Sequence, residues 1–478
     1  MGMNLPELSA MLASPGSILR LDAAALADAT QVVDEPASLL LRAESECRAI
    51  EPGALWHTPA QGEVTILASG PRASVDQHPA AARAERRDLG NAILLPGFVN
   101  AHCHLDLTSL GPRSFPPGAD FADWIADVIR DRLQADDDIE ASVERGVRLS
   151  LTGGVVAVGD IAGKPSAGHT IAPARALARS PLHGTSYTEF FAIGPRESAA
   201  LDALDRFLPD YIGACTGRLR PGLSPHATNT VSPTAFLRGV ELAAQHGIPI
   251  AHHLAESPAE HTLVADAAGP HRAVLEQLGL WDDVAASHFG QGKSPMQHAR
   301  PLLQAANDAH LRTLIAHVND TAPAIDTAIE MLRNCDVVYC PRASAYFRAA
   351  DAFGPHRYAD LLAGGINVAL GTDSIINLEA ESDLDPTDPA CRGITPLDDA
   401  RLLAQRDEAD AATLLEMITT RPAEALGMPT AEATLAHGVR PLGIVTVGSH
   451  DETDSQPNIT LGSVFSSGSR PRLLFIRK

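Results

Sequence analysis

Two histidines one residue apart, His102 and His104, close an apolar run in the segment PGFVNAHCHLD. On an extended segment residues i and i+2 point to the same side, so both imidazoles can reach one ion while Cys103 turns the other way. Further apolar runs end in His226, in the pair His252-His253, in His317 and in Asp373. A catalytic zinc site takes nitrogen and oxygen donors and keeps one position open for water. His102, His104, one histidine of the 252–253 pair and Asp373 supply that set. Adjacent residues of a strand face opposite ways, so only one of the pair can point inward. We assign this place to His253, because Glu256 then lies three residues on, at the strand exit, within reach of the same cavity. A lone histidine in a strand is usually a hydrogen-bonded core or surface residue. Histidines at four strand ends, with an aspartate at another, form a joint pattern that points to a metal site. Cys335 and Cys340 have a C-x4-C spacing with no second half to complete a ligand set.

The elements that must bring these residues together are legible from about residue 92 onward. Short apolar runs alternate there with longer segments of helical period, the pattern of repeated βα units around a parallel sheet. Eight strands are expected, at 93–102, 155–162, 182–191, 219–227, 248–256, 313–320, 336–343 and 367–374. Eight parallel strands imply a closed (β/α)8 TIM-type barrel, whose active sites lie at the C-terminal ends of the strands, where the histidines and Asp373 fall. Helix punctuation agrees: Ser232 is placed as an N-cap, Pro233 in the first turn, Phe236, Val240 and Ala243 on one face, and Gly247 as the C-cap. Residues 1–91 and 431–478 read instead as short β-prone runs broken by Pro, Gly and Asp. They are expected to pair into one small β-sandwich domain beside a barrel of residues 92–430, an α/β fold class overall. The Ala/Arg-rich stretch 79–88 is expected to be a surface loop or weak helix. The acidic stretch 377–398 is expected to be a loop over the barrel mouth.

Composition narrows the partners. The formal net charge over 478 residues is −22 and aromatics are 4%, so neither a polyanion-binding surface nor a base-stacking platform is indicated. Nucleic acid is therefore not an expected partner. The chain has no apolar stretch of about 18 residues and opens without a basic segment leading into an apolar core, so neither a membrane span nor export is expected. Six scattered cysteines read as free thiols of a reducing compartment, and the expected location is the cytoplasm. GQGKS at 290–294 resembles the end of a phosphate-binding loop, but Ser287 stands where its first glycine belongs, so it reads as a turn. The H-x-E with P-C-x-x-C signature and the H-E-x-x-H signature are absent, which excludes the small zinc deaminases and the helix-borne zinc proteases. The formal sequons at Asn319 and Asn458 carry no meaning in a chain that is not exported.

PGFVNAHCHLD, SPHATNTVSP, HHLAES, IAHVND and ALGTDS resemble, in order, the signature strand ends of the amidohydrolase superfamily. The resemblance covers roughly residues 92–430. Within the superfamily it resembles the cytosine deaminase and chlorohydrolase-like branch, with DWIADVI and CPRASAYF similar to aminodeoxyfutalosine deaminase-like members. It implies one divalent ion, zinc or iron, held by His102, His104, His253 and Asp373. The only lysines are Lys164, Lys293 and Lys478, none at a strand end, so a second metal bridged by a carbamylated lysine is not expected. The implied chemistry is attack of a metal-bound hydroxide on an electron-poor ring carbon of a heterocyclic or nucleoside-like small molecule, with loss of ammonia. In that scheme Asp373 takes the proton from the water, His317 orients the nucleophile and Glu256 passes protons to the ring and the leaving group. Removal of halide or alkylamine, or opening of a cyclic amide or guanidine, is the alternative on the same site. A non-catalytic barrel scaffold is a second alternative, and a homo-oligomer is left open. The substrate candidates are Asp106, Trp124, His226, Arg342 and Tyr346. Asp106 stands where relatives often carry glutamate, and Ala343-Ser344 replaces an expected Ser-His.

Overall fold

The computed structural model describes residues 6–50, 59–116, 118–119, 121–163, 168–378, 384–388, 391–448 and 459–478. Lys164, Asn458 and parts of the acidic 377–398 stretch lie outside them. The eight expected barrel strands are all present: β1 (Phe98–Cys103), β2 (Val155–Ala162), β3 (His183–Phe190), β4 (Leu219–Pro225), β5 (Ile250–Leu254), β6 (Thr313–His317), β7 (Cys335–Tyr339) and β8 (Asn367–Leu370). They pair in chain order, each parallel to the next. Every residue of β2, β3, β5 and β6 is buried, as a parallel sheet covered on both faces requires.

The return from β8 to β1 brings the first and last motifs together. The Thr372 and Asp373 N–H groups both donate to the His102 carbonyl at 3.1 Å. Asn100 reinforces this seam, donating to Thr372 Oγ1 at 2.8 Å and accepting the Thr372 N–H at 3.1 Å. Gly371 is required here, because a Cβ at that position would lie 2.9 Å from both Cβ and the carbonyl oxygen of His102. The helix Pro233–His246 follows its expected punctuation: Ser232 Oγ accepts the Ala235 N–H, and Gly247 takes the left-handed conformation at φ 64°.

Two expectations need correction. The single strand 93–102 is two strands, Ala92–Pro96 and Phe98–Cys103. The apolar run is continuous, but at Gly97 the chain leaves one sheet for another, and Ala92–Pro96 pairs antiparallel with Gly443–Gly448. The stretch 79–88 contains only a short 3-10 turn, Ala81–Arg83, and then a strand, Glu85–Asp88. Its charged side chains conceal it, since it is an edge strand held through its backbone to Leu19–Asp22.

Outside the barrel lie two further sheets. One has four strands, Val64–Pro71, Ala37–Ala43, Ile18–Ala23 and Glu85–Asp88 in spatial order. The other has seven and includes Ala92–Pro96, Gly443–Gly448 and Pro471–Arg477 at its centre. Leu19, Leu21, Leu39 and Leu41 of the first share one buried cluster with Leu94, Ile444, Leu474 and Phe475 of the second. No disulfide joins the six cysteines, all of which are among the described residues. Among the described residues no helix is long and apolar enough to cross a membrane.

Candidate active site

The strand ends converge on one cluster. His102 and His104 leave β1 on the same side, while Cys103 between them is buried in the hydrophobic core. His253 points into the barrel and its Nδ1–H donates to the His226 carbonyl at 2.7 Å, which leaves Nε2 free toward the cluster. Its neighbour His252 points outward, bonded through Nδ1 to the Pro225 carbonyl at 2.6 Å and edge-on to Phe236. His253 Nε2 lies 3.3 Å from His104 Nε2, and Asp373 Oδ1 lies 3.4 Å from His104 Nε2 and 3.8 Å from His102 Nε2. His317 Nε2 lies 3.6 Å from Glu256 Oε1. Ligand-type atoms of His102, His253 and His317, and of His102, His104 and Asp373, each fall within 4.8 Å of one another.

Backbone strain gathers at the same places. Ala255, His317, Val318 and Asp373 all have left-handed φ, between 54° and 74°. Such conformations cost non-glycine residues on the order of 1–3 kcal/mol each and persist where surrounding structure over-determines them. Here the Val318 and Asn319 N–H groups donate to the Leu254 and Ala255 carbonyls at 2.9 Å, tying the end of β6 to that of β5.

Burial sets the protonation states. Desolvation, followed by their mutual proximity, holds His102, His104 and His317 well below the ordinary imidazole range. His253 is pushed down to about 4 and His226 to about 3, again by burial first. These are neutral imidazoles, the form that ligates metals. Burial pushes Asp373 up to about 7 against the opposing hydrogen bond from Asn377, whose Nδ2 donates to Asp373 Oδ2 at 2.5 Å. Glu256 is raised well above the ordinary carboxyl range by burial, then by Asp373 and Glu260.

The cluster sits at the inner end of a cavity of about 510 Å³. Its polar floor includes His104, His226, His253, Glu256 and Asp373, and its walls include Trp124, Ile125, Val128, Leu275 and Leu280. Glu256 is the side chain of the cluster most open to this space, 30% exposed against 1% for His102 and His317.

Residues 93–441 match the model of the amidohydrolase family. The chain belongs to that family. Aminodeoxyfutalosine deaminase of Deinococcus radiodurans is 30% identical over 329 residues, covering 66% of this chain and 71% of that protein. A 5-methylthioadenosine/S-adenosylhomocysteine deaminase of Moorella thermoacetica is 27% identical over 358 residues, covering 73% and 72%. The crystal structure of Helicobacter pylori aminofutalosine deaminase in complex with methylthio-coformycin shares the fold over 94% of this chain and 95% of that one, with TM-score 0.66 and 16% identity.

Not every residue singled out from the sequence of this amidohydrolase reaches the cavity. Trp124 and His226 line it, the latter with Nδ1 paired to Thr230 Oγ1 at 2.7 Å. Asp106, Arg342 and Tyr346 are absent from its lining. Asp106 is covered by Arg132, which donates to its Oδ2 at 2.8 Å and itself faces the cavity. Arg342 is turned to Asp399, with Nε and Nη2 on Oδ2 at 3.0 and 2.7 Å. The Tyr346 hydroxyl accepts from Trp124 Nε1 at 2.9 Å and lines a neighbouring cavity with Arg342. Sequence reasoning missed Arg132, Glu189, Glu260, Asn319 and Asn377. Glu189, at the end of β3, is buried with Oε1 3.7 Å from His226 Nε2. Only Glu260 carried a legible signal, the Ser257-x-x-Glu260 spacing of a helix start.

Proposed function

We propose that this amidohydrolase is a metal-dependent aminohydrolase that releases ammonia from a heterocyclic or nucleoside-like small molecule. The observation that carries the reading is a carboxyl group, Glu256, set beside His317 and Asp373 against neutral imidazoles at the inner end of an otherwise largely apolar cavity. His102, His104, His253 and Asp373 would hold one divalent ion, zinc or iron. They fit it chemically, since the donor set is nitrogen and oxygen, and His102 has both ring nitrogens buried with no hydrogen-bond partner. Leaving such groups unsatisfied costs about 1–3 kcal/mol each. Both relatives are named as deaminases, one of aminodeoxyfutalosine and one of 5-methylthioadenosine and S-adenosylhomocysteine, and this supports the same reaction class.

A bound ion of this kind acidifies water and stabilises charge that develops on the reacting oxygen. The chain's own groups divide the proton work. Asp373 accepts a proton from the attacking water. His317, whose Nε2 is buried without a partner, hydrogen-bonds that water and fixes its approach. Glu256, held protonated, gives its proton to the ring nitrogen beside the attacked carbon, then takes the proton of the newly added hydroxyl and passes it to the departing amine, and the proton left on Asp373 restores it. Carbon–oxygen bond formation and carbon–nitrogen cleavage then yield the oxo product and ammonia.

Metal-loaded protein offered adenine-type nucleosides, free purines and pyrimidines is expected to release ammonia from at least one. Glu256→Gln should lower kcat at least about 10²-fold, the lower end for acid–base help, with metal content near that of the parent. Release of halide or alkylamine alone would replace the reading with the alternative hydrolysis. Activity that survives complete chelation would remove the metal from it. We further propose that the two outer sheets form one small β-sandwich domain built from both ends of the chain, residues 1–91 and 431–478 together with the strand Ala92–Pro96, supported by their shared apolar cluster.

A further inference from the structure

Glu256 leaves β5 directly after Ala255, whose φ of 57° is a conformation alanine does not choose by itself. Two clamps hold this turn. On the amide side stands Glu260, 3% exposed, in the first turn of the helix Pro258–Asp266. Its Oε2 accepts the Glu256 N–H at 2.8 Å, and its Oε1 accepts the Ala255 N–H at 3.1 Å together with the Thr228 hydroxyl. In a capping box the glutamate would bond the N-cap amide. Here Ser257 Oγ does accept the Glu260 N–H at 3.3 Å, but the carboxylate reaches past Ser257 to the two residues before it. On the carbonyl side, Asn319 just beyond β6 donates Nδ2 to the Glu256 carbonyl at 2.8 Å. Asn319 Oδ1 in turn accepts the hydroxyl of Ser344, which follows β7. Ser344 is the residue found where the resemblance led us to expect histidine.

We propose that Glu260, Asn319 and Ser344 are positioning residues that fix Glu256 against His317 and Asp373, and that Ser344 acts through Asn319 rather than on the substrate. The proposal rests on the reading of Glu256 as the proton carrier. Three strands and a helix thereby meet at one peptide unit, so the side chain of the cluster most open to the cavity has its backbone held from both sides. A misplacement of about 1 Å at a reacting group costs on the order of 10²-fold in rate.

Asn319→Asp keeps the shape and the bond from Ser344 but loses the N–H offered to the Glu256 carbonyl. Glu260→Gln must turn an amide NH2 toward at least one donor it now accepts from. Both are expected to lower kcat about 10- to 100-fold with KM within about twofold, to shift the Glu256 limb of the pH–rate profile, and to keep parental metal content. Ser344→Ala should show a smaller loss in kcat, and Ser344→Thr should restore it. Parental kcat and pH profile in Asn319→Asp and Glu260→Gln would overturn the proposal, as would a loss accompanied in proportion by lost metal. A rise in KM alone for Ser344→Ala would place Ser344 on the substrate and overturn its assignment. Hydrogen exchange of peptides covering 252–257 tests the frame without any substrate: Glu260→Gln should lose protection there, and unchanged protection would overturn the frame. If protection falls while the parent releases no ammonia from any compound, the frame stands and the deaminase reading fails.

Discussion

His252 and His253 are adjacent in the chain and opposite in role. One hydrogen-bonds the Pro225 carbonyl behind the sheet, the other faces His104 across 3.3 Å inside it. His253→Ala is expected to lower metal affinity at least about 10-fold, since even residues that merely orient a ligand are worth that much. His252→Ala should instead cost about 1–3 kcal/mol of stability with metal retained, because it strands a buried carbonyl. Metal analysis paired with urea unfolding of the two variants checks the assignment. The inward and outward choice was legible because a strand alternates with period two. The fates of Asp106 and Arg342 were not, because their partners, Arg132 and Asp399, lie 26 and 57 residues away and nothing local selects them.

The decisive element is the seam from β8 to β1, which joins GTDS to HCH through the His102 carbonyl. Gly371→Ala tests it. The added Cβ would meet Val338 Cγ1 at 2.8 Å and His102 Cβ at 2.9 Å, so we expect destabilisation of about 1–3 kcal/mol together with loss of bound metal. Gly213, inside the helix Glu197–Ala214, would meet nothing within 4 Å. Gly213→Ala should stabilise by about 0.4–1 kcal/mol, because alanine at a position with compatible backbone reduces the conformational entropy of the unfolded chain. Denaturant midpoints of both variants make the comparison. Barrel strands were legible as short apolar runs between helical segments. The break at Gly97 was not, because both halves of that run are apolar and only pairing with Gly443–Gly448 separates them.

At the scale of the molecule, His183 at the start of β3 donates from Nε2 to the Arg477 carbonyl at 3.1 Å, tying the barrel to the last strand of the chain. Burial pushes it down to about 3, against an ordinary value near 6.5. Below pH 6.5 the unfolded chain therefore binds a proton that the folded one refuses. Stability from this group is complete above about pH 6.5 and falls as the pH drops toward 3. Relative to His183→Gln, the parent should lose up to about 1.4 kcal/mol per pH unit across that window. Unfolding midpoints of the pair between pH 7 and 4 measure the difference, and parallel curves would refute it.

The sequence alone determined the number and order of the barrel strands, the ends at which the histidines and Asp373 fall, and the kinship those ends announce. Each is a local property: periodicity, residue type and spacing survive without knowledge of what lies opposite. The tertiary structure decided which polar groups share the cavity, since Arg132 and Glu260 became part of the site only through partners brought to them by folding. It also decided where the β-prone ends of the chain pair. Side-chain chemistry is written residue by residue, whereas ion pairs and cavities belong to contacts between segments that only a closed barrel makes neighbours.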